Sequence, residues 1–210
     1  MGWLENVSFK NQDIENQRLE LTDKNSLYFL RTGLTVRNCT VILKVPARRL
    51  HIDQARFIDC TFEVKQELIN FQEWISASLK GCRFKGRFSG NDFGHWPEYG
   101  SQPEYKFGAL EDCDFSEARL DACRFHGCDL HTLRLPRWPC FTFLEPLRHA
   151  RELQAAAWPG SFGDITVERL QTNPSSTVAL TFHAQSAARF YKTTEEELRA
   201  AIERFDCFYY

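Results

Sequence analysis

Between Gly108 and Leu135 an apolar residue returns at every fifth position, as Leu110, Phe115, Leu120, Phe125, Leu130 and Leu135. Two places before each of them stands Gly108, Cys113, Ala118, Cys123, Cys128 or, as the one bulky exception, Leu133. A stride of five matches neither the 3.6 of a helix nor the 2 of a strand. It predicts a coil of short straight sides, each turning a corner, with the large apolar residue and the small one before it directed inward. A narrow core leaves no room for two large side chains per side.

The phrases Cys113-Asp114-Phe115-Ser116-Glu117, Ala118-Arg119-Leu120-Asp121-Ala122 and Cys123-Arg124-Phe125-His126-Gly127 resemble pentapeptide repeats. That resemblance implies a mainly β fold, a right-handed quadrilateral β-solenoid with four pentapeptides per coil, so that every twentieth residue stacks on one wall. The echo is present in the chain: Cys39-Thr-Val41, Cys60-Thr-Phe62, Cys82-Arg-Phe84, Cys113-Asp-Phe115 and Leu133-Arg-Leu135 recur at intervals of 21, 22, 31 and 20. The repeat region is therefore predicted over 34–135, with interruptions. The interval of 31 locates an inserted loop at about 89–103.

Outside this region the pattern changes. Residues 1–33 carry alternating pairs (Val7/Phe9, Leu19/Leu21, Leu27/Phe29) that read as an N-terminal β cap over the first coil. Val64, Leu68, Phe71 and Ile75 follow helical spacing, which predicts a short helical interruption with Trp74 as a packing residue. Residues 136–210 read as a smaller C-terminal α+β domain. It comprises a helix over 145–157, strands over 165–170 and 177–184, and a helix beginning at Thr194 with Glu197 in capping-box spacing. The tail Phe208-Tyr209-Tyr210 is suited to an edge strand.

At 210 residues, 43% hydrophobic and 26% charged, the chain can bury a sizeable core. The charged residues of the first thirty positions are unlike a signal peptide, no stretch suits a membrane span, and the expectation is a cytoplasmic protein. Of eight cysteines, Cys39, Cys60, Cys82, Cys113, Cys123 and Cys128 fall on the small inward position, where a reduced thiol behaves as a small hydrophobe. Cys123, His126, Cys128 and His131 have residue types that suit zinc, but the register directs the cysteines inward and the histidines outward. Neither metal nor cofactor is expected.

Catalytic motifs are sparse. Gly160-Ser161-Phe162-Gly163 has the wrong spacing for a nucleophile elbow, and no phosphate-binding glycine loop or paired-histidine motif occurs. The insertion instead concentrates aromatic and acidic residues, and exposed Trp and Tyr are what binding hot spots use. Asp92, Phe93, His95, Trp96, Glu98, Tyr99 and Glu104 are the expected partner-binding residues, the alternative being that Phe93 and Trp96 fold back to cover the solenoid wall.

The family's possible activities differ in their charge requirements. A mimic of the DNA bound by topoisomerases needs dense negative charge, whereas residues 34–135 carry 14 Lys/Arg and 14 Asp/Glu. Glu111, Asp112, Asp114, Glu117 and Asp121 nonetheless form an acidic run that could serve as a contact face. The expectation is a non-enzymatic protein-binding module. Its narrowest form, implied by the resemblance, is an immunity-type protein that neutralises a bacterial toxin enzyme, contacting neither nucleic acid nor membrane. The alternatives are a DNA-mimicking topoisomerase-protecting protein and an enzyme centred on the C-terminal domain.

Overall fold

The computed structural model describes residues 4–99 and 107–210. It is mainly β, with stacked parallel sheets forming a β-solenoid of about four turns and a few helices. One sheet contains β1 (Glu5–Phe9), β4 (Ser26–Leu30) and β7 (Leu50–Ile52). A second contains β2 (Gln12–Glu15), β5 (Leu34–Arg37), β8 (Arg56–Ile58), β10 (Ser78–Lys80) and β13 (Ala109–Glu111). The third contains β3 (Arg18–Leu21), β6 (Thr40–Leu43), β9 (Thr61–Ile69), β11 (Arg83–Ser89) and β14 (Asp114–Asp121). Residues 5–30 therefore correct the expected cap: β1, β2 and β3 pair in parallel with β4, β5 and β6 as strands of a first coil.

The corners explain the stride. After each strand of the second sheet the chain enters the left-handed region, at Asn16, Asn38, Asp59, Gly81 and Asp112. Asn, Asp and Gly tolerate that conformation best. Gly81 is also required by space, since a Cβ there would lie 2.2 Å from Oδ1 of Asp59 on the preceding coil. Beyond the corner comes the small inward residue, which lies within reach of two backbone carbonyls. Sγ of Cys60 is 3.3 Å from the Ile58 oxygen and 3.3 Å from that of Val36 one coil earlier. Cys39, Cys82, Cys113 and Cys123 repeat this arrangement. All eight cysteines are free, and burial pushes the Cys123 thiol up to about 12.

Between the corners the large inward residues stack as columns. Phe62 and Phe84 are parallel at 5.0 Å, and Phe84 and Phe115 at 4.4 Å. Trp74, Phe93 and Phe125 form a second column at 5.8 and 5.5 Å. The predicted helical interruption is corrected in its extent. Val64 and Leu68 are four apart because β9 bulges against β11, Gly86 pairing with Val64 and Phe88 with Leu68, and only Glu73–Ser76 forms a 3-10 turn. Trp74 is fully buried in the core, as a packing residue should be.

The C-terminal segment continues a wall of the solenoid. β12 (Asp92–Gly94) pairs in parallel with β15 (Cys123–His126). To β15 are added, antiparallel, β17 (Thr177–His183), then β16 (Cys140–Leu144) and β18 (Phe208–Tyr209). α1 (Pro146–Gln154), α2 (Ala184–Tyr191) and α3 (Glu195–Ile202) pack with this sheet around a second core that includes Phe141, Phe143, Phe162 and Phe182. The Thr194 capping box and the edge strand are present. The strand expected over 165–170 is absent. Gly163–Val167 forms a π-helical turn and Leu170–Thr172 a 3-10 turn, which together bury Val167 and Leu170.

Because Phe84 contacts aromatic neighbours on both adjacent coils, Phe84→Ala should lower unfolding free energy by about 3–5 kcal/mol. Denaturant titration followed by circular dichroism measures this, and a loss below about 1 kcal/mol would contradict the stacked-core account.

Candidate functional site

The insertion begins later than its sequence suggests. Asn91, Asp92 and Phe93 complete one more repeat: Phe93 is fully buried, and Asn91 occupies the cysteine position, its Nδ2 donating to the oxygens of Leu68 and Ser89 at 2.9 Å each. The Asn91 Oδ1 accepts from the indole of Trp74 at 3.2 Å. The chain leaves the wall only after Gly94, where a Cβ would lie 2.2 Å from the His126 oxygen. Asp92 and Phe93 are thus interior residues, which corrects their expected place on an exposed loop. Glu104 lies outside the described residues.

Asp92 is the centre of a buried polar clamp. Its carboxylate, 2% exposed, receives Arg124 Nε at 2.6 Å and Nη2 at 3.1 Å, and lies 3.1 Å from His126 Nε2. Burial alone would raise the Asp92 pKa, but the His126 and Arg124 contacts outweigh it and hold it below its ordinary value. Trp96 folds back over this clamp, stacked on His126 at 4.5 Å with Arg124 5.0 Å from its ring. It too is therefore largely withdrawn from solvent, at 9% exposure.

A second tie joins the insertion to the segment before β17. Glu98 accepts from the Ser175 hydroxyl, from Ser176 N at 3.1 Å and from Ser176 Oγ at 2.8 Å. The Ser175 and Ser176 hydrogen bonds hold the Glu98 pKa well below the usual carboxylate range, at about 2. Ser176, His126 and Asp92 stand in the order of a nucleophilic triad, but the geometry is that of a clamp. Ser176 Oγ is 3.4 Å from His126 Nδ1, which Thr177 shares at 3.3 Å. The serine proton is directed at Glu98, and the imidazole is wholly buried beneath Trp96. A nucleophile needs its base free to take its proton.

Of the remaining insertion residues, His95 and Tyr99 are half-buried and Glu98 is exposed. Tyr99 rests against Trp96 at 4.7 Å, and its hydroxyl donates to Gln72 Oε1 at 2.7 Å. This places it on a recess of about 420 Å³ that also includes Ile69, Phe71, Arg48 and the His51–Glu73 pair. A larger recess, about 1070 Å³, opens between the last coil and the C-terminal segment, with Leu130, Leu133 and Val178 in its lining. Neither was legible in the sequence, because each is assembled from stretches far apart in the chain.

The acidic run does not form an uninterrupted acidic face. β13 and β14 lie in register beside the basic β10 and β11, placing Glu111 opposite Lys80, Asp114 opposite Arg83 and Glu117 opposite Lys85. The corresponding ion pairs measure 2.7, 4.0 and 2.9 Å. Asp112 is a left-handed corner residue, and Asp121 accepts from His183 N at 3.2 Å. Among the described residues no group of three or more His, Cys, Asp or Glu side chains could hold a metal ion. No family model matches the chain, and no curated protein matches it in sequence.

Two measurements check this account. Trp96→Ala should lower stability by about 3–5 kcal/mol, the cost of truncating a buried aromatic; an unchanged thermal midpoint would show that the ring contributes nothing to the clamp. The depressed pKa of Glu98 gives stability that is complete above the unfolded value of about 4.3 and lost as pH falls toward about 2. Glu98→Gln should therefore flatten the fall in thermal midpoint across that interval, and an unaltered pH profile would contradict the tie.

Proposed function

We propose that the protein is a non-enzymatic protein-binding module of the pentapeptide-repeat type, a right-handed four-sided solenoid. In its narrowest form it is an immunity-type protein that occludes a bacterial toxin enzyme. The observation that carries this reading is the preorganised surface around Tyr99. Asp92, Arg124 and His126 fix the root of the insertion, while Glu98 ties it to Ser175 and Ser176. Tyr99 is thereby presented beside Ile69, a large aliphatic side chain 56% exposed, with Arg48 on the same recess. Aromatic, apolar and Arg side chains are enriched at protein interfaces, and a surface held rigid before binding loses less entropy on association.

The interleaved ion pairs weigh against the topoisomerase-protecting alternative, because a phosphate-like stripe requires unpaired carboxylates in series. Eight free thiols are compatible with a reducing compartment, and the cytoplasm is the proposed location. Among the described residues no helix is long and apolar enough to cross a membrane.

The test is co-expression with candidate toxin enzymes, beginning with the products of whichever genes flank this one. The protein should relieve growth arrest and co-purify with the toxin. Ile69→Ala combined with Tyr99→Ala should leave the thermal midpoint within about 2 °C while weakening binding at least roughly thirtyfold, about 2 kcal/mol. Growth arrest that persists despite soluble expression would overturn the immunity reading, and undiminished binding by the double variant would remove this surface from it. Protection of gyrase in a supercoiling assay would favour the mimic instead.

A further inference from the structure

The first coil leaves one end of the solenoid open. β1, β2 and β3 are each the terminal strand of a sheet, with one backbone edge unpaired among the described residues. Val7, Phe9, Ile14 and Leu19 pack against the core from these strands yet are only half-buried, whereas Val36 and Val41, in register with Ile14 and Leu19 one coil on, are fully buried. An open strand edge is a template for further pairing. From Glu5 to Asn25 this end offers roughly twenty residues, the lower end of the ~20–30 that each side of a specific protein interface uses.

Two identical ends meet face to face about a two-fold axis perpendicular to the solenoid, which sets their edge strands antiparallel. The charges of the first coil decide where that axis passes. If it ran through β2, the exposed Asp13 and Glu15 would lie against the same two carboxylates of the second copy, and like charges directly opposite are destabilising. If it runs through Leu19 of β3, Arg18 falls opposite Glu20 of the second copy. β3 is flanked by β2 and by residues 22–25, so the same axis lays β2 against that segment of the second copy, where Lys24 is exposed. Neither Asp13 nor Lys24 enters an ion pair among the described residues. The remaining carboxylates there are already engaged: Glu15 is 3.5 Å from Arg37, and Asp23 accepts from Asn25 N at 2.9 Å and Ser26 Oγ at 2.8 Å. β1 lies across the coil from β3, so the axis crosses it too and sets Lys10 at its one end beside Glu5 at its other.

We propose that the protein forms a head-to-head dimer through its first coil, β3 of two copies pairing antiparallel about Leu19 and the half-buried residues of each end covering those of the other. The interface uses neither Tyr99 nor the insertion, so it stands apart from the toxin-binding reading.

Sedimentation equilibrium of the intact chain should show a monomer–dimer equilibrium between micromolar and millimolar concentration. Asp13→Lys alone and Lys24→Glu alone should each raise the dimer Kd at least roughly tenfold, about 1.4 kcal/mol, while the two together in one chain should restore it to within about threefold. Arg18→Glu and Glu20→Arg, singly and together, should repeat that pattern. All four side chains are exposed, and circular dichroism should report an unchanged fold. A chain that stays monomeric throughout the range, assembly beyond a dimer, a Kd that no single reversal raises, or no recovery in either double variant would overturn the proposal.

Discussion

The geometry of this protein depends on one steric constraint: each side of a coil must direct one large apolar side chain into a core only a few side chains wide, then turn a corner. The second inward position must consequently be small, and it sits beside carbonyl groups of its own coil and the coil before it. Cysteine meets both demands, as a small hydrophobe with a weak S–H donor. That Asn91 can take the same place by donating to the same pair of carbonyls shows that backbone satisfaction is as much a part of the position as volume. The left-handed corner residues and the stacked phenylalanines follow from this arrangement.

Parallel stacking in register has an electrostatic consequence. Residues one coil apart become direct neighbours on the surface, so a basic stretch followed a turn later by an acidic one is converted into cross-strand ion pairs. Exposed pairs of this type contribute little stability, about 0–1 kcal/mol each, but they decide the charge pattern that the wall presents. Lys80, Arg83 and Lys85 facing Glu111, Asp114 and Glu117 make a surface of alternating charge. Departures from this alternation lie where the repeat is broken.

Among the described residues two such breaks are present, and both are held by the sheet that contains β15. The insertion returns over β15 through Trp96, and the C-terminal strands extend β15 on its other edge. His126 serves both, stacking beneath Trp96 while its two ring nitrogens face Asp92 and the Ser176/Thr177 hydroxyls. A satisfied buried polar network of this kind is directional in a way that apolar packing is not. It can therefore hold an insertion that has no regular hydrogen-bond ladder of its own.

The sequence by itself determined the repeat: the stride of five, the small partner two places earlier and the twenty-residue echo require only local sterics and stacking, so the Phe62, Phe84 and Phe115 column was legible residue by residue. The C-terminal capping box at Thr194 and edge strand at Phe208 were legible for the same local reason. What only the tertiary structure decided were the pairings between distant segments. The step of five from Phe88 to Phe93, with Asn91 as the small partner, was a signal that Asp92 and Phe93 belong to a wall. Its aromatic and glycine-rich surroundings concealed it. Nothing local to Cys140–Leu144 distinguishes a strand buried on both faces from other apolar runs. The apposition of Asp92 with Arg124 and His126, the pairing of Glu111, Asp114 and Glu117 with basic residues, and both recesses arise from segments tens of residues apart. Chain order carries no record of such contacts, because they are made by the register of one coil upon the next.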